Sequence, residues 1–71
     1  MKIYYDEEAD AAYIEISTEH PHGVVEAEDG INLDMTADNR LVGIEILDAS
    51  KKLPIETLFR FEVDQSLKHA A

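Results

Sequence analysis

Asp6, Glu7, Glu8 and Asp10 crowd a single short stretch, and carboxylate oxygens at that density are the donors a hard cation takes. The stretch lacks the ordered ligand spacing and fixed glycine of a calcium loop, so a solvated turn explains it more simply. A second set lies in Asp29-Gly30-Ile31-Asn32-Leu33-Asp34. In an extended chain Asn32 and Asp34 fall on the same face, two residues apart. Asp29, Asn32 and Asp34 are therefore the candidate donors for a divalent cation or a small polar ligand. The competing explanation is a solvated outer face, and it is the stronger of the two. His20 and His22 flank Pro21 in one loop. Stable zinc sites draw on about three or four protein ligands, and no third is evident beside this pair. His69, near the end of the chain, adds nothing to it.

Nucleophilic catalysis needs a nucleophile beside a base that a third group orients. Ser17, Thr18 and His20 lie close together, but neither a nucleophile elbow nor an oxyanion loop surrounds them. Paired carboxylates working as acid and base need a concave pocket that separates their pKa values. A chain this short has little volume for one. Only Gly23, Gly30 and Gly43 are available, and they form no phosphate-binding loop. No catalytic residue and no cofactor is expected. The tyrosines suit recognition better, since tyrosine is enriched where proteins meet. Tyr4 and Tyr13, with Asp6, Glu8 and Asp10 of the acidic turn, are the candidate binding residues. The plainer role for the tyrosines is cross-strand packing within a sheet.

The elements that must position these residues follow from the apolar pattern. Residues 2–5 form a short run of β-formers, and residues 6–10 have the composition of a tight connection. Residues 11–17 then alternate, with Ala12, Ile14 and Ile16 on one face and Tyr13, Glu15 and Ser17 on the other. That period of two marks a half-buried strand and outweighs the helix-forming glutamates and alanines of residues 7–16. The two segments are expected to form a hairpin.

Residues 24–35 keep one parity throughout. Val25, Ala27, Ile31, Leu33 and Met35 alternate with Glu26, Glu28, Asn32 and Asp34. The expectation is one strand with a bulge or kink at Gly30. A turn at residues 36–40 uses Asn39 in a left-handed conformation. Residues 41–49 form the next strand. It is apolar on both faces and hence central or covered on both sides. Pro54 opens a short helix whose Ile55, Leu58 and Phe59 pack on the sheet. Phe61 and Val63 could add a last contact as a short edge strand.

Seventy-one residues allow one domain, with a core over about residues 2–63 and a frayed tail over 64–71. The expected fold is α+β, a single small antiparallel sheet of about four strands arranged as a meander, with one short C-terminal helix packed on it. A domain of this size buries only ~60% of its unfolded surface. With no cysteine, self-association is the expected source of extra stability, a homodimer above all. Sixteen acidic residues against six basic ones give a formal charge of −10. That charge repels phosphate backbones and anionic membranes and leaves a basic protein as the natural partner. Met1-Lys2-Ile3-Tyr4-Tyr5-Asp6 holds no apolar run suited to a signal peptide or a membrane span, so a cytoplasmic location is expected.

Three stretches carry a family resemblance: Tyr5-Asp6-Glu7-Glu8-Ala9-Asp10-Ala11-Ala12-Tyr13-Ile14, Asp29-Gly30-Ile31-Asn32-Leu33-Asp34, and Arg40-Leu41-Val42-Gly43-Ile44-Glu45-Ile46-Leu47-Asp48-Ala49-Ser50. Together they resemble the small prokaryotic family named domain of unknown function 2283, over about residues 4–58. Asn39 departs from the pattern, where the family would have glycine in the turn. The resemblance implies a compact β-sheet domain of bacteria or archaea and supplies no catalytic residues. It also implies toxin-like neighbours, and with them an antitoxin-like role against a basic, ribonuclease-like protein.

Overall fold

A computed structural model describes residues 1–66. Strands β1 (Lys2–Asp6), β2 (Ala11–Glu15), β3 (Gly23–Glu28), β4 (Ile31–Met35) and β5 (Leu41–Leu47) form one antiparallel sheet. Helix α1 (Ala49–Lys52) and a 3-10 turn over Ile55–Phe59 follow. The strand order is β1-β2-β5-β4-β3. The described residues thus form five strands rather than four, and the sheet is not a simple meander. Strand β5 inserts between β2 and β4, the central place that its two apolar faces demand.

The extra strand comes from residues 24–35, which are a hairpin and not one kinked strand. Gly30 takes φ +76 in the turn, a left-handed conformation that glycine adopts without a Cβ penalty. The pairing explains why the alternation concealed this. Glu28 pairs with Ile31 across the turn, which shifts parity by one residue. A bulge between Glu26 and Glu28 shifts it back, so Glu26 pairs with Asn32 and Val25 with Leu33. A hairpin carrying a one-residue bulge therefore leaves the same odd–even pattern as an unbroken strand.

The other turns are set by short polar side chains. The Asp6 carboxylate accepts the Glu8 and Ala9 amides at 3.0 and 3.2 Å, a local bond that closes the β1–β2 connection. Thr36 Oγ1 accepts the Arg40 amide at 2.9 Å, and Asn39 stands at φ 65 as its residue type foretold.

Register gives the sheet two unlike faces. Ile3, Ile14, Ile44, Leu33 and Val25 are successive partners across all five strands and make one apolar row. Tyr5, Ala12, Ile46 and Ile31 form the next. The chain leaves β5 at Leu47, and Asp48 at φ 51 turns it into α1. Ala49, expected at the end of the strand, is the first residue of that helix and is wholly buried. Four residues make too short a helix to stand alone, so packing and hydrogen bonds must hold it.

Leu53, Ile55 and Leu58 pack beside Ala49 against Ala12 and Ile46. Phe59, expected among them, is 77% exposed. The reason is the turn type, since at about three residues per turn Ile55 and Leu58 share a face and Phe59 is rotated off it. Phe61 and Val63 form no strand and are exposed as well. Of the expected tail, residues 67–71 lie outside the described residues. Among the described residues the buried hydrophobic ones are Ala12, Val42, Ile46 and Ala49, all of small or medium size. So small a core makes the rest of the apolar surface important to stability.

Candidate functional site: the open face of the sheet

Opposite the helix, the same register assembles a second set of rows. Tyr4, Tyr13, Glu45, Asn32 and Glu26 are successive partners across the five strands. Lys2, Glu15, Gly43, Asp34 and Val24 form the neighbouring row. Paired side chains share a face at close range, so these ten positions lie side by side. Helix α1 and the 3-10 turn pack on the other side of the sheet.

Gly43 organises the middle of this face. A Cβ there would overlap the Tyr13 phenol and come within 3.0 Å of Tyr13 Cε1. A glycine inside a strand commonly marks such a close approach. Without that Cβ, the Tyr13 ring crosses β5 and its hydroxyl donates to Asp34 Oδ2 at 2.8 Å. The bond to Asp34 pushes the Tyr13 phenol up to about 12, with burial and the neighbouring carboxylates adding to it. At neutral pH this phenol is a fixed, uncharged donor. Asn32 Nδ2 donates to Glu45 Oε1 at 2.9 Å. Tyr4 stands against Tyr13 with ring centres 6.4 Å apart and planes at 45°, a tilted contact that aromatic pairs favour. Lys2 Nζ lies 5.0 Å from the centre of the Tyr4 ring, within cation–π range.

The structure thus joins two residue sets that the sequence kept apart. Tyr4 and Tyr13 share a face with Asn32 and Asp34, and Tyr13 bonds Asp34 directly. The acidic turn divides. Asp6 spends one carboxylate oxygen on the turn amides, while the Glu8 side chain is exposed. Asp10 serves the opposite face. It accepts the Tyr5 hydroxyl at 2.9 Å, the Ser50 amide at 3.0 Å and the Ser50 hydroxyl at 2.6 Å. Its backbone carbonyl accepts the Ala49 amide at 2.9 Å. The Ser50 hydroxyl, then the Tyr5 hydroxyl, hold the Asp10 carboxyl below its ordinary 3.8, and the same bond raises Tyr5. Asp10 is therefore a staple between the first hairpin and α1.

The proposed cation donors do not converge. Asp29 sits in the β3–β4 turn, whereas Asp34 is the fourth residue of β4, near that strand's far end. Asn32 and Asp34 do share a face, but each is engaged with another side chain. Among the described residues no three His, Cys, Asp or Glu side chains gather closely enough to hold a metal ion. His20 and His22 are exposed in the β2–β3 connection.

Lys2, Glu15, Glu26, Gly43 and Glu45 were not singled out from the sequence as members of a site. Gly43 was the readable signal, being a lone glycine in a run of strong strand formers. The others depend on cross-strand register, which no single segment encodes. Chemically the face offers two tyrosines, a ring of carboxylates and one ammonium. An acidic, aromatic-centred surface of that kind suits binding.

A family model described as protein of unknown function (DUF2283) matches residues 2–50, which span the five strands and the start of α1. No curated protein and no solved structure matches the chain.

Proposed function

The chain belongs to the DUF2283 family of proteins of unknown function, and from that premise we propose a non-enzymatic, acidic interaction module that self-associates and binds a basic protein on its open sheet face. One observation carries this reading: the row Tyr4–Tyr13–Glu45–Asn32–Glu26, in which an aromatic pair lies beside carboxylates on a face that α1 leaves bare. Aromatic side chains supply contact area at low entropic cost. Carboxylates around them select a basic surface and steer its approach. The formal charge of −10 acts in the same direction at longer range. Self-association draws on the modest core and on the exposed apolar side chains elsewhere in the chain. A basic toxin is one partner of the required chemistry.

The test is capture from native cells with the wild-type protein and with Tyr4→Ala/Glu45→Lys side by side. The expected result is a basic protein held by the wild type, lost from the variant and released by salt. Equal retention by both proteins, or capture of no basic protein, overturns the reading.

A further inference from the structure

Strand β3 is an outer strand of the sheet, paired to β4 on one side, and all six of its residues are exposed. An unpaired edge of this kind is a template for another strand. Elsewhere in the same chain a segment has the sequence of a strand but pairs with no strand among the described residues. Phe59, Phe61 and Val63 alternate with Arg60, Glu62 and Asp64, and those three apolar side chains are 77%, 73% and 73% exposed. Arg60 is already extended, at φ −156 and ψ 149. We propose that the chain dimerises by reciprocal strand addition, residues 60–64 of each copy pairing antiparallel with β3 of the other, Phe61 opposite Val25 and Arg60 opposite Glu26. This deepens the self-associating part of the function proposed above by naming its surface.

Charge and packing select the register. The apolar row Ile3–Ile14–Ile44–Leu33–Val25 ends at β3, where Val25 is 53% exposed. Phe61 opposite Val25 extends that row by one strand. The other parity then sets Arg60 against Glu26, at the end of the acidic row, and Glu62 against Val24. Sliding the segment to bring Val63 opposite Val25 would oppose Glu62 to Glu26, a like-charge pair that sheets avoid. Sliding it the other way would set Leu58 against Glu26 and draw Leu58 from its place against the sheet. Antiparallel pairing is the more stable arrangement per residue, and reciprocity closes the assembly at two copies.

The area is adequate. Each phenylalanine brings roughly 150 Å² of exposed surface. With Val63, Val24, Val25 and the paired backbone, each copy approaches the ~800 Å² that a standard interface buries.

The absence of cysteine from the chain permits a direct test. Light scattering on the wild type reads self-association itself. Separately tagged Val25→Cys and Phe61→Cys copies are then mixed and oxidised, with Lys2→Cys on the β1 edge replacing Val25→Cys as the control. The expected results are a dimer mass, a mixed disulfide between the first two copies, and little with the control. Phe61→Glu, its fold checked by its amide spectrum, is expected to weaken the dimer at least about tenfold, or ~1.4 kcal/mol. A wild-type dimer without the mixed disulfide, or with equal cross-linking to Lys2→Cys, overturns the proposed edge and leaves self-association standing. A wild-type monomer at all concentrations overturns both.

Discussion

Tyr13 reaches Asp34 across β5 only because residue 43 has no side chain, so three residues on three strands act as one unit. Filling the gap separates them. Gly43→Ala is expected to cost about 1–3 kcal/mol in urea unfolding, the usual range for overpacking a fitted site. In a Tyr13→Ala background the same change should lose most of that cost, because the ring it displaces is gone. Alkaline titration reads the unit independently. The folded Tyr13 value of about 12 lies above the ordinary 10.0. Its contribution to stability is therefore intact below pH 10 and falls as pH rises towards 12, since the unfolded chain gives up the proton first. A tyrosinate absorbance step near the upper value should appear in the wild type and move towards the ordinary value in Gly43→Ala. A similar unfolding cost in both backgrounds, or an unmoved step, would show that Gly43 does not organise this face.

Asp10 works between elements, holding the β1–β2 connection to the start of a helix too short to form unaided. Its carboxyl is held below 3.8 by the Ser50 and Tyr5 hydroxyls. The stability it supplies is thus present above the unfolded value and lost as pH falls through the lower, folded one. Asp10→Asn should lower the unfolding midpoint at neutral pH and flatten the midpoint's decline in acid. An unchanged acid limb would exclude this carboxyl as its source. How far such elements can be read from sequence depends on the range of the interaction that forms them. The hairpin of β1 and β2, the left-handed Asn39 and the central place of β5 follow from local pattern and residue type. The β3–β4 hairpin does not, because its bulge restores the parity that the turn removes. Phe59 does not share the packed face that α-helical spacing predicts, because its segment winds at about three residues per turn. The site was half legible. Alternation put Asn32 and Asp34 together, but only the order β1-β2-β5-β4-β3 brings Tyr13 and Glu45 beside them. The Asp10–Ser50 staple spans forty positions and leaves no periodic trace.

For the whole molecule, net charge makes the two proposed associations respond to salt in opposite directions. Two copies of a chain with formal charge −10 repel one another at long range. The Arg60–Glu26 contact between them is a single exposed pair, worth only about 0–1 kcal/mol. Apolar burial of Phe59, Phe61 and Val63 must then drive the dimer against that repulsion, and salt screens the repulsion within about 10 Å at 0.1 M. Dimerisation should therefore tighten as salt rises from low to moderate levels, whereas binding of a basic protein to the open face should weaken. Sedimentation at a series of salt concentrations measures the first response, and titration with the captured partner measures the second. Phe61→Glu should abolish the first without changing the second, because Phe61 is not a member of the row Tyr4–Tyr13–Glu45–Asn32–Glu26. A dimer that loosens with salt would mean that paired charges, rather than an added apolar strand, hold the two copies together.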